Sequence, residues 1–135
     1  MPSAYSIPYV YVVVRRDLPL HHQITQACHA ALELGFDEER PGHHPVHLIT
    51  LSVADEPELL QLEQRLTRSD IRFHLFWEPD PVSVGETRPM GATALATEPL
   101  QGSRRQPLAR LCLWRHAPLA KPWGPPVGQV GSPGS

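Results

Sequence analysis

Tyr9-Val10-Tyr11-Val12-Val13-Val14-Arg15-Arg16-Asp17 is the stretch on which the fold turns. Its first six residues are all β-branched or aromatic and show no polar alternation, which suits a strand buried on both faces in the middle of a sheet. Beyond Pro19 the apolar positions change to a helical period. Gly35, which tolerates a left-handed turn, is expected to close a helix over residues 22–35. A buried strand running directly into a helix opens an α/β fold. In such sheets the C-terminal end of the strand is where ligands usually sit.

The same reading extends downstream. Charged residues with Pro41, Gly42 and Pro45 mark an exposed connection before a second strand over Val46 to Val53. Asp55, with Glu58 three residues on and Pro57 in the first turn, opens a second helix. Leu59, Leu62 and Leu66 give that helix one apolar stripe, and it is expected to end near Ser69. Phe73 to Trp77 and Ala92 to Thr97 are the remaining strands, separated by a loop rich in Pro, Gly and acidic residues. A short helix is expected over Arg104 to Leu111. The expected architecture is therefore a single-domain α/β fold with a mixed four-stranded sheet flanked by helices. Residues 1–8 form an N-terminal extension, 9–115 the domain, and 116–135 a Pro/Gly-rich tail expected to be disordered.

Bulk properties narrow the function classes. A chain of 135 residues with 41% hydrophobic content supports one domain. With a net charge of -2 there is no global basic field, so phosphate contacts must come from local arginines. Lys121 is the sole lysine, so cationic work inside the domain falls to arginine, histidine or helix N-termini. Cys28 and Cys112 show no disulfide or metal-ribbon spacing, and the apolar run at 9–14 is too short for a membrane span or a secretion signal. A cytoplasmic protein without a membrane anchor is expected.

His22, Gln26, His29 and Glu33 fall within a narrow sector of the first helix, with Ile24, Ala27, Cys28, Ala31, Leu34 and Gly35 opposite. The apolar side is expected to lie on the sheet and the polar side to face solvent or a cleft. Periodicity alone fits an ordinary solvated face; position at the end of the first strand favours a site. The positive end of the helix macrodipole favours a neutral imidazole at His22, which could then accept a proton. Cys28 and His29 diverge around the helix and cannot form a nucleophile and base pair, so Cys28 is assigned to the core. His21, His22, His29, His43, His44 and His47 invite a metal reading. The one pair at i, i+4, His43 and His47, straddles Pro45 instead of lying on a helix. No metal or cofactor is expected.

Val13-Val14-Arg15-Arg16-Asp17-Leu18 and Gln26-Ala27-Cys28-His29-Ala30-Ala31 together resemble the opening of the type-2 peptidyl-tRNA hydrolases, whose strand ends V-R-x-D-L and whose helix reads A-Q-C-S-H-A-A. Glu58-Leu59-Leu60-Gln61-Leu62 is similar to the family's E-E-L-L-E-L helix, and Ala94-Leu95-Ala96-Thr97-Glu98-Pro99 to its L-A-I-G-P strand end. Pro79-Asp80 falls where the family carries a loop aspartate. The segment from Trp77-Glu78-Pro79 to Thr87-Arg88-Pro89 resembles the divergent peptidyl-tRNA hydrolase domain-containing branch. The resemblance implies hydrolysis of the ester joining a peptide to the 3′ ribose of tRNA, with a peptidyl-tRNA as partner. It casts His22 as water activator or oxyanion partner, oriented by Asp80 or Glu78, and Gln26 and His29 as holding the substrate end. Arg15, Arg16 and Arg88 become candidates for phosphate contacts, with Asp17 beside them or simply capping the turn. The family's turn before the helix carries a lysine in G-K-G-K. Here the turn is two residues shorter, and His22, seven before His29, stands in the lysine's place. The alternative function is a non-catalytic module of the same fold that binds tRNA or another partner. A homodimer is compatible with either, and the sequence does not fix the oligomeric state.

Overall fold

The computed structural model describes residues 7–38 and 45–115, so the expectations for residues 1–6, for His43 and His44 and for the tail beyond Arg115 lie outside the described residues. Five strands form one mixed sheet in the order β3-β4-β1-β2-β5. They are β1 (Tyr9–Arg15), β2 (His47–Val53), β3 (Phe73–Glu78), β4 (Gly91–Thr97) and the two-residue β5 (Cys112–Leu113). β1 sits at the centre, parallel to β2 and antiparallel to β4, as its unbroken apolar run requires. The fifth strand is the addition to the four expected. Leu113 and Cys112 pair with Leu51 and Ser52 of β2, too short a segment to carry a period-2 signal of its own.

Helix α1 (Leu20–Asp37) covers one face of the sheet and α2 (Glu56–Arg68) the other. The α2 start follows the sequence closely. Asp55 accepts from the Glu58 backbone N–H at 3.1 Å while the Glu58 carboxylate takes the Ala54 N–H at 2.8 Å, so two otherwise unpaired donors are satisfied. Leu59, Leu62 and Leu66 then reach zero exposure against Tyr11, Val13, Leu51, Val53 and Leu95.

Helix α1 departs from expectation twice. It runs through Gly35 to Asp37, because a glycine within a helix costs only about 1 kcal/mol when neighbouring turns are packed. More importantly, the face on the sheet is Gln23, Gln26, Ala30 and Leu34, while Ile24, Cys28 and Gly35 are exposed. The helix is therefore rotated relative to the apolar-inward reading. Two glutamines can be buried because both find polar partners, and the small Ala94 and Ala96 of β4 let the helix lie close. A 3-10 helix (Gly102–Leu108) replaces the helix expected over 104–111.

Two substitutions separate the energetic scales. Leu62→Ala should lower unfolding stability by about 2–5 kcal/mol and Asp55→Ala by about 1 kcal/mol, read as shifts of the urea midpoint with unchanged slope.

Candidate active site

Asp17, His22, Gln26, Glu78 and Asp80 gather at the C-terminal ends of β1 and β3, where β4 begins. Arg15 is the anchor. Its guanidinium turns inward at the end of β1 and donates to the Met90 carbonyl at 2.7 Å and the Ala92 carbonyl at 3.0 Å. On its other edge it binds Asp17 in bidentate fashion, at 2.9 and 3.0 Å. Most of its donors are thereby committed inside the fold. Arg16 points the other way, is exposed, and donates once to Ser52 Oγ at 3.0 Å.

Gly91, beside Met90, adopts φ +85°, and a Cβ there would lie 2.5 Å from the Glu56 carboxylate, which accepts the Ala92 N–H at 2.8 Å. Only glycine meets both demands. The acidic first turn of α2 is thus joined to the same strand start that Arg15 grips.

The loop between β3 and β4 is held at three points. The Met90 N–H donates to the Asp80 carbonyl at 2.8 Å, the Met90 carbonyl accepts from Arg15, and the Val82 carbonyl pairs with His22 Nε2 at 2.9 Å. A carbonyl only accepts, so Nε2 carries the proton and Nδ1 presents its lone pair when the ring is neutral. The His22 ring is half-buried, with His21 against it at 4.1 Å between centroids. Its orienting partner is this backbone oxygen; the Glu78 carboxylate is bonded to Gln26 and the Asp80 N–H, and the Asp80 carboxylate makes no bond to His22.

Glu78 belongs to a second chain of bonds. Thr93 Oγ1 donates to Gln26 Oε1 at 2.7 Å, Gln26 Nε2 donates to Glu78 Oε1 at 2.9 Å, and Glu78 Oε2 accepts the Asp80 N–H at 3.2 Å. Gln26 is 2% exposed, so this amide is a buried strut and not part of a solvated stripe. Thr93 reaches it through a register shift. Phe76 pairs with Ala94 but Trp77 with Ala92, so β4 has one extra residue there and consecutive Thr93 and Ala94 both face α1.

His29 lies one turn further along α1, stacked on Phe76 at 4.4 Å with rings parallel to 1°. Asp80 and Arg88 are exposed, and neither side chain has a hydrogen bond or ion pair with another described residue. Gln23, which the sequence did not single out, caps the turn before the helix by donating to the Leu18 and Arg16 carbonyls at 2.7 and 3.1 Å. Its oxygen accepts Trp114 Nε1–H at 2.7 Å. Thr93 carried a signal, as a polar residue amid alanines in a strand; Trp114 and the Val82 carbonyl had none. Among the described residues no group of three or more His, Cys, Asp or Glu is gathered to hold a metal ion, and no helix is long and apolar enough to cross a membrane.

The geometry offers a histidine with one nitrogen anchored and one available, an exposed carboxylate on the same loop, and exposed arginines. That combination can activate water beside an anionic substrate. Comparison with known proteins bears on the family and the fold. The family model described as peptidyl-tRNA hydrolase PTH2 matches residues 9–109. No curated protein is significantly similar. Among solved structures, a protein of unknown function from Agrobacterium tumefaciens, Atu0240, superposes with a TM-score of 0.59 at 12% identity, covering 82% of this chain and 99% of that one, which speaks to the fold.

Thr93→Val should cost about 1–3 kcal/mol, because it leaves the buried Gln26 oxygen without its donor, and Thr93→Ser should recover most of the loss. Chemical denaturation of the three proteins measures both.

Proposed function

We propose, from the premise that the chain belongs to the type-2 peptidyl-tRNA hydrolase family, that it hydrolyses the ester between a peptide and the 3′ ribose of tRNA. The observation that carries this reading is His22, fixed through Nε2 on the Val82 carbonyl at the C-terminal end of β1. In the proposed step Nδ1 takes a proton from water as its oxygen attacks the acyl carbon. The tetrahedral intermediate collapses with cleavage of the bond to the ribose oxygen, which receives the proton back from the imidazolium. The products are a peptide with a free carboxyl group and tRNA with a free 3′ hydroxyl.

The remaining roles follow from which groups are engaged. Asp80, exposed on the loop that His22 holds, is assigned to stabilise the charged imidazolium. His29 on Phe76 presents a flat edge to the substrate end. Arg16 and Arg88 are the candidates for phosphate contacts, whereas Arg15, Asp17, Gln26 and Glu78 act by positioning the loop. The substrate is a tRNA carrying a peptidyl ester, and a role in recycling it places the protein in the cytoplasm.

One observation favours a second reading, a tRNA- or partner-binding module without hydrolysis: residues 9–109 contain no lysine. The two readings differ in turnover. Purified chain incubated with N-blocked aminoacyl-tRNA should release the acyl group, and His22→Ala and Asp80→Ala should each lower kcat by about tenfold or more. Arg88→Ala should mainly raise KM. Wild type that retains tRNA on a filter yet releases nothing would favour the binding module; active wild type with unaffected His22→Ala would discard the assignment of the base.

A further inference from the structure

Alternation along β1 sends Tyr9, Tyr11 and Val13 to the sheet face that α2 covers. Because α2 lies chiefly over β4, the part of this face formed by β2 and β5 is roofed by residues 102–111 instead. The roof does not close onto the sheet. Between them lies a cavity of about 460 Å³, a size that takes a small organic molecule. Its walls are aliphatic: Ile49, Leu51, Leu108, Leu111 and Leu113 line it, and no acidic side chain does.

Two polar groups meet in this apolar setting. Tyr11 is 5% exposed, and its hydroxyl accepts the Arg105 Nε–H at 2.7 Å. Arg105 is further fixed by stacking, with its guanidinium carbon 3.6 Å from the centre of the Tyr9 ring. Neither group is satisfied by the other. The Tyr11 O–H has no acceptor among the described residues, and a buried donor left unpaired is costly. Arg105 pairs with no described carboxylate, so its charge at the cavity is uncompensated.

Both deficits are met by one anionic group. A carboxylate can accept from Tyr11 with one oxygen and from Arg105 with the other, and its single charge matches the single guanidinium. A phosphate dianion would bring a second charge that nothing on the lining meets. Water would accept from Tyr11 but would neither neutralise the cation nor cover the leucines. Apart from Tyr11 and Arg105, Gln106 is the sole polar side chain on the lining, so the body of the ligand is hydrocarbon.

We propose that the cavity between residues 102–111 and the β2 and β5 strands binds an aliphatic monocarboxylate, with its head on Tyr11 and Arg105 and its chain along Ile49, Leu51, Leu108 and Leu111. The cavity lies on the face of the sheet opposite to α1, which carries His22, and the proposal does not depend on the hydrolase reading.

Isothermal titration of the full chain with octanoate tests it. Wild type should bind one octanoate with a Kd below about 1 mM, whereas octanol, which keeps the chain, and acetate, which keeps the head, should each bind about tenfold or more weakly. Tyr11→Phe and Arg105→Leu should weaken octanoate binding about tenfold or more, as should Ala109→Trp, which fills the cavity from its exposed rim. Circular dichroism establishes that each variant is folded. His22→Ala, on the other face, should bind octanoate as wild type does. Wild type that binds no octanoate, octanol that binds as well as octanoate, undiminished binding by folded Arg105→Leu or Ala109→Trp, or loss of binding in His22→Ala would each overturn the proposal.

Discussion

A guanidinium buried at the end of the central strand is the constraint from which this site is built. Charge in a protein interior is costly unless every donor finds an oxygen. Arg15 comes close to the condition, with four bonds to one carboxylate and to two backbone carbonyls from a segment far away in sequence. Its position fixes where β4 starts, and thereby the last residues of the loop that carries Asp80, Val82 and Arg88. The cation that the sequence offered to a substrate phosphate serves instead to hold the loop. Its immediate neighbour, Arg16, remains at the surface with a single hydroxyl partner.

From that anchor the polar groups divide into two sets. Gln26, Thr93 and Glu78 are saturated with internal bonds and set distances. His22, Asp80, Arg16 and Arg88 keep capacity for solvent or substrate. The division matters for the family's chemistry, because His22 stands where the resemblance places a lysine. An ammonium would bring a fixed charge and three donors; an anchored imidazole brings one lone pair and a proton that can move.

How much could be read beforehand depended on whether apolar pattern or polar partnership decided the local structure. The unbroken run of β1 and the Leu59, Leu62, Leu66 stripe of α2 were legible because burial alone determines them. The orientation of α1 was not. Gln23 and Gln26 face inward because Leu18, Trp114, Thr93 and Glu78 supply partners from four separate segments, and periodicity has no access to such partners. Of the candidate site, only the approach of the His22 helix to the loop that carries Asp80 was legible. Its organisation was not, since Val82, Met90 and Ala92 contribute backbone oxygens that any residue could provide.

The extra residue in β4 links the sheet to the site in a way that bears on how such a chain can vary. On one side of the bulge, residues alternate so that Ala92 faces α2; on the other, Ala94 and Ala96 face α1, and Thr93 is the hinge between the two phases. Losing a single residue there would preserve the strand but restore unbroken alternation, so either the Arg15 grip or the α1 packing would be in phase, never both. Length changes in the loop from 83 to 89 face no such parity condition. Two neighbouring stretches of chain therefore obey different rules: one may drift in length, while the other is quantised.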